Sequence, residues 1–303
     1  MLRHICLWVV CVSIDLCVVA NAEEPKLTRI TADGEFKQRP CWSPDGKEVT
    51  FARHRGVTIY LYRKNLVSGE ETRLTKHEWP EYDAVYSPDG KTLALGFDKA
   101  SPNQGNIEVY LFELESETLT PLAVDAGKLS HEESPCWSPD SKQIAFSSTR
   151  DGNQELYTID RNGQNLVRLT DDAAIDAHPA WSPDGKTIAF STNRWGDLEL
   201  ALISPDGTNL RRLTNSPGLD DYPVWSPDGR ILAFTSNRDR NLEIYVMSVS
   251  TGKTVNITQN RAIDNFPAWT PEGNIGFVSN RDGGFDIYVD EPPAEFRVKR
   301  ESE

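Results

Sequence analysis

Cysteine is scarce in this 303-residue chain, and basic residues are outnumbered. There are five cysteines, and 32 Lys and Arg stand against 46 Asp and Glu, for a formal charge of −14. An acidic chain of this kind does not hold nucleic acid or anionic lipid through its overall field; an acidic partner needs a local basic patch. Long apolar runs are absent beyond the start, so no later segment is expected to span a membrane. No stretch beyond the start sustains a helical apolar period, which argues against helical architecture. A Gly-x-Ser-x-Gly nucleophile turn is missing too.

The start reads as an export signal over residues 1–22. A short basic opening with Arg3 and His4 precedes an apolar stretch, and Ala20-Asn21-Ala22 offers a small-x-small cleavage site. Asp15 interrupts the apolar stretch, and Leu16 before Cys17 does not fit a lipoprotein signal. Cleaved export to a periplasmic or secreted location is the expectation, with an uncleaved anchor as the alternative. Cleavage would remove Arg3 and Asp15 together and leave the charge at −14. Cys6, Cys11 and Cys17 would go as well. Cys41 and Cys136 remain, at equivalent places in two copies of a repeat where other copies carry Val85, Ala180, Val224 and Ala268. Small buried side chains are expected there, as free thiols, because equivalent places two repeats apart exceed the roughly 7 Å between bridged Cα atoms.

The repeat is the dominant feature. Its core, Trp-Ser-Pro-Asp-Gly, recurs with small changes after Trp42, Tyr86, Trp137, Trp181, Trp225 and Trp269, in steps of 44, 51, 44, 44 and 44 residues. The long step is an insertion over Lys99 to Asn106. Each copy carries a turn built on Pro, Asp and Gly, then runs rich in β-branched and aromatic residues. That pattern predicts an all-β, six-bladed propeller of four-stranded antiparallel blades over 23–303, starting near 38, 82, 133, 177, 221 and 265. Lys26–Thr31 resembles the outer strands ending at Thr170, Thr214 and Thr258, so it is expected to complete the last blade and close the ring. Glu295–Arg300 is the competitor for that slot.

This repeat, with Ser-Asn-Arg-Asp-Gly after its second strand and Arg-Leu-Thr at its end, resembles the TolB-like propeller family. The resemblance implies the fold, a periplasmic setting and a protein or peptide partner. It does not fix function, since related repeats occur in peptidases and polysaccharide lyases.

Candidate site residues come from columns of the repeat. Five residues before each aromatic stand Lys37, Glu81, Glu132, Asp176, Asp220 and Asp264; read as loop residues, their five carboxylates would circle the channel mouth. Arg55, Lys99, Arg150, Arg194, Arg238 and Arg281 fall in the turn between strands two and three, on the same face. Pairing between these columns is the architectural reading, and a ring that recognises a ligand cation or amine is the alternative. Strand three opens with Glu108, Glu155, Glu199, Glu243 and Asp286, against Thr58 in blade one. Blade one therefore breaks the pattern, and Lys37, Arg39, Arg53, His54 and Arg55 are expected to form a basic sector for a carboxylate-bearing partner. His77, His131 and His178 are candidate divalent-cation ligands, but their offsets of nine, six and three residues from the aromatic lack a ligand-set spacing. Surface loop histidines and no cofactor are the default. Asn256-Ile-Thr258 matches a glycosylation acceptor inside a predicted strand. These readings favour an exported, monomeric, non-catalytic module binding an envelope or secreted protein or peptide. A lyase or hydrolase acting on an acidic glycan in the same mouth is the alternative.

Overall fold

The structure, a computed structural model, describes residues 27–98, 107–122 and 130–298. The export signal, Lys26, Lys99 and the insertion lie outside the described residues. The described residues form 24 strands in six antiparallel sheets of four. The innermost strands are Lys37–Trp42, Glu81–Tyr86, Glu132–Trp137, Asp176–Trp181, Asp220–Trp225 and Asp264–Trp269, each beginning one residue before the start expected from the repeat. Each packs on the next, and the first packs on the last, so the blades form a ring around a central channel. Among the described residues no helix is long and apolar enough to cross a membrane.

The repeated phrase explains each inner corner. In blade one Ser43 Oγ donates to Asp45 Oδ1 at 2.7 Å and accepts from Glu48 N at 3.0 Å, while Gly46 N donates to Ser43 O at 2.9 Å. Gly46 takes φ +70, a left-handed conformation that glycine adopts without a Cβ penalty. The tryptophans stitch blades together. Trp137 Nε1 donates to Val85 O at 3.2 Å, Trp225 to Ala180 O at 3.0 Å and Trp269 to Val224 O at 3.2 Å, each in the preceding blade. Trp181 differs, donating to Gly185 O of its own turn. Between the sheets, cores such as Ile144, Phe146, Tyr157 and Ile159 are fully buried, which supplies the apolar burial that an isolated blade lacks.

The ring closes as the N-terminal repeat fragment predicts. Thr28–Arg29 pairs antiparallel with Asp286–Asp290, and Ile30 N donates to Ile287 O at 2.8 Å. Thr31 then repeats a contact made in other blades. There, Thr170 and Thr214 donate to Glu155 and Glu199 at 2.5 Å; here Thr31 donates to Asp286 at 2.7 Å. Trp42 lies on Gly276 of blade six, where an added Cβ would come within 1.9 Å of its ring. The described part of the competing C-terminal segment forms no strand: Ala294–Phe296 is a 3-10 turn whose Phe296 is buried against blades five and six.

Candidate functional site

The column of acids does not circle the mouth. Lys37, Glu81, Glu132, Asp176, Asp220 and Asp264 are the first residues of the innermost strands and are buried. Arg150 meets Glu132 at 2.9 Å, Arg238 meets Asp220 at 2.7 Å, Arg281 meets Asp264 at 3.0 Å, and Arg194 grips Asp176. The architectural pairing is therefore what the geometry displays in blades three to six. Burial still raises Asp176 above the ordinary carboxylate range, and Arg194 offsets this only in part.

The basic sector of blade one is also corrected. Lys37 is fully buried and bonded to Asp33 and to Asp286, the latter at 3.1 Å. Arg53 is 2% exposed and lies 2.7 Å from Asp33, 3.4 Å from Glu35 and beside Glu71. Arg55 has a partner after all, Glu35 at 3.0 Å, and the His54 ring sits 4.7 Å from that of Phe36. Asp33 and Glu35, in the loop leading into blade one, neutralise the sector from within. The strand-three acid is replaced by Tyr60, two residues beyond Thr58: Arg53 pairs with Tyr60 as Ser148 pairs with Glu155. Glu81 reaches back from blade two to fill the gap, accepting from Leu61 N at 3.2 Å and from Thr75. Arg73, denied a carboxylate at that place, stacks on Tyr60 at 3.7 Å.

A different column reaches the channel. Three residues before each aromatic, Arg39, Asp83, Ser134, His178, Tyr222 and Phe266 all adopt a left-handed φ of 50 to 56. Each sits at a register shift between the first two strands of its blade. Such a β-bulge re-aims a side chain, and a left-handed non-glycine residue costs about 1 kcal/mol or more. Proline follows in five of the six blades, where a bulged backbone has no use for the missing N–H.

The six re-aimed side chains form a diaphragm. Arg39 spans it, meeting Asp83 of blade two at 3.1 Å and Ser134 of blade three, with its guanidinium 4.5 Å from the Tyr222 ring of blade five. His178 Nδ1 lies 2.6 Å from Asp221, its ring 4.2 Å from Tyr222, and Tyr222 meets Phe266 edge-on at 4.9 Å. Burial alone would raise the Asp221 carboxyl; His178 and Ser191 hold it below the usual carboxylate range. The diaphragm separates two cavities. One, of about 240 Å³, faces the loops and adds Gln38, Tyr82 and Glu133; the other, of about 360 Å³, is walled by the prolines and the repeat aromatics.

Of the sequence candidates among the described residues, only Arg39 and His178 reach the channel. His77 packs on Phe97, and His131 lies 3.3 Å from Glu133. Among the described residues no three His, Cys, Asp or Glu side chains are grouped to hold a metal ion. Asp83, Ser134, Tyr222 and Phe266 were missed. Their signal was variation: Arg, Asp, Ser, His, Tyr and Phe occupy one column between residues that repeat. Asn256 is tied to Asp239 and Tyr245 and lies on a strand.

A six-bladed propeller closed by its N-terminal strand, with one variable side chain per blade across the channel, is the class these features define. Within that class the chain belongs to the TolB beta propeller domain family, whose sequence model matches residues 100–219 and 208–295. It is similar to the Tol-Pal system protein TolB of Francisella tularensis subsp. mediasiatica (strain FSC147), 26% identical over 125 residues. That match spans 41% of this chain and 27% of the relative, so the chain matches about a quarter of the relative's length. The crystal structure of TolB from Acinetobacter baumannii superposes with a TM-score of 0.69 at 22% identity, over 80% of this chain and 59% of that one. Oligogalacturonate lyase from Vibrio parahaemolyticus superposes with a TM-score of 0.62 at 16% identity, over 91% and 96%. Both structural likenesses are likenesses of fold.

Proposed function

We propose that this chain is an exported, non-catalytic propeller that binds a protein or peptide partner through its channel mouth and surrounding loop face. The observation that carries the reading is the diaphragm: six unlike side chains delivered to one place by a strained bulge repeated in every blade. An architectural column would repeat its residue, as the acid column does. A column that repeats its backbone and varies its side chain suits recognition. The same face exposes apolar side chains, Val57 in the turn between strands two and three of blade one, Trp195 at the end of strand two of blade four, and Trp79, Ile175 and Ile263 in loops leading to innermost strands. Exposed apolar groups rimmed by polar ones mark contact surfaces.

Family membership and the Tol-Pal naming of the relative support a protein partner in the cell envelope. The export signal expected at residues 1–22 supports a periplasmic or secreted location. The likeness to the lyase does not tip the balance toward a glycan-cleaving enzyme, because at 16% identity it carries fold alone. Capture from envelope extract tests the proposal. The intact chain should retain a partner that a Tyr222→Ala, Phe266→Ala variant of unchanged melting temperature does not. Equal retention by both would place recognition elsewhere.

A further inference from the structure

The loop-face cavity has a charge balance that names its ligand chemistry. Its walls bring in Arg39, Asp83 and Glu133 as charged groups, with Tyr82, Tyr222, Phe266 and His178 as rings. Arg39 and Asp83 are spent on each other at 3.1 Å. Asp221, behind the wall, is spent on His178 at 2.6 Å. Glu133 is left over. Among the described residues no Lys or Arg pairs with it, and its side chain meets only His131, at 3.3 Å. The carboxylate is about one-third exposed, so it is reachable from solvent yet partly shielded.

Aromatic rings complete the arrangement. Tyr82 comes from the adjacent blade, and its phenol is pushed up by burial and then by Asp98, Glu133 and Asp83. Tyr222 is also pushed up by burial, to about 12; Arg39 opposes the rise, and Asp221, Asp83 and Glu133 add to it. The Tyr82 ring therefore sits in a negative field, while the Tyr222 ring is already covered by the Arg39 guanidinium. Beneath Tyr82 the wall is Gly96, where a Cβ would lie 3.2 Å from Ile107 and 3.5 Å from Tyr82, so a glycine is what leaves room there. Arg39 already shows the favoured contact, a guanidinium stacked on Tyr222 at 4.5 Å. Ring faces and a carboxylate together attract a cation.

We propose that this cavity receives a cationic group of the partner peptide, a lysine ammonium or an arginine guanidinium, paired with Glu133 against Tyr82. The inference rests on the peptide-binding reading above and specifies its chemistry; it reverses the carboxylate-bearing partner expected from the sequence. Glu133 has no Lys or Arg partner among the described residues, and the chain as a whole is acidic, so a cationic segment is also steered toward the mouth.

The test uses four capped hexapeptides identical except for a central Lys, Arg, Gln or Glu, titrated into the full chain by calorimetry at low and at moderate salt. The Lys and Arg peptides should bind at least tenfold more tightly than the Gln peptide, and the Glu peptide most weakly. Glu133→Gln, which keeps shape and fold, should erase most of that preference without changing the melting temperature. Equal binding of all four peptides, abolished by Tyr222→Ala, would overturn the cation inference and leave the peptide-binding reading intact. Preference for the Glu peptide would overturn it as well. Failure of all four to bind, while the mouth still captures a partner from extract, would overturn it too.

Discussion

Asp286 is where the ring is held shut, and replacing it by Asn tests how much that closure depends on one charge. The carboxylate is buried at the start of the third strand of blade six. It accepts from Arg29 and Thr31 at 2.7 Å, from Gly34 N at 3.2 Å and from the buried Lys37 at 3.1 Å. All four donors precede or open blade one, so the residue joins the two ends of the ring. Removing one partner of a buried ion pair costs about 3–5 kcal/mol, because the other charge is stranded. Asp33 stays beside Lys37 and is partly exposed, so the lower end, about 3 kcal/mol, applies here. At about 2–4 °C per kcal/mol for domains somewhat smaller than this, the melting temperature of Asp286→Asn should fall by roughly 6–12 °C. Circular dichroism melts read this directly. Lys37→Met added to Asp286→Asn should recover much of the loss, since the stranded charge is gone. Asp282→Asn is the control: this exposed carboxylate lies 3.6 Å from Arg29 and should cost under about 1 kcal/mol. If Asp286→Asn loses no more than the control, the electrostatic clasp is wrong.

The same carboxylate sets an acid limit, and Gly276 and the two cysteines give independent checks. Burial pulls the Asp286 carboxyl up, but hydrogen bonds from Arg29, Thr31 and Lys37 outweigh this and hold it at about 2. A folded value below the unfolded one, about 3.9, gives stability that is fully present above about pH 4 and lost as pH falls toward 2. Acid titration of the melting temperature should therefore show a steeper fall between pH 4 and 2 in the parent than in Asp286→Asn. Gly276→Ala should displace Trp42 at the closing seam and cost about 1–3 kcal/mol by overpacking, with a loss of near-ultraviolet dichroism. Cys41 and Cys136 are free, and burial pushes their thiols up to about 11 and about 12. Both are half-buried, against the larger cavity, so iodoacetamide should label both much more slowly in the native chain than in denaturant; equal rates in the two states would contradict the shielding of their thiols.

The architecture was legible because the repeat writes each corner in chemistry that admits one geometry. Ser, Pro, Asp and Gly specify the turn, the tryptophan supplies a donor to the preceding blade, and Thr31 repeats the hydroxyl that bonds the strand-three acid. The site was not legible for three physical reasons. Regular alternation assigns faces along a strand, and a bulge of one residue reverses that assignment. Arg39, Asp83, Ser134, His178, Tyr222 and Phe266 therefore point where a regular strand would not send them. In blade one the counted position falls on Thr58 while strand pairing puts Tyr60 in the acid's place, and no period encodes the substitution of Glu81 for the absent acid. Lastly, Asp33 and Glu35 lie outside the repeat columns, so their neutralisation of Lys37, Arg53 and Arg55 depends on a loop fold that no period encodes.

Photo-crosslinking in living cells tests the central functional claim most directly. A benzophenone amino acid placed at Tyr82 stands in the channel mouth, and one placed at Lys186 stands in a turn on the opposite face. A partner crosslinked from position 82 and not from 186 is the predicted result. Crosslinking from 186 alone, or equally from both, would contradict a mouth built for recognition.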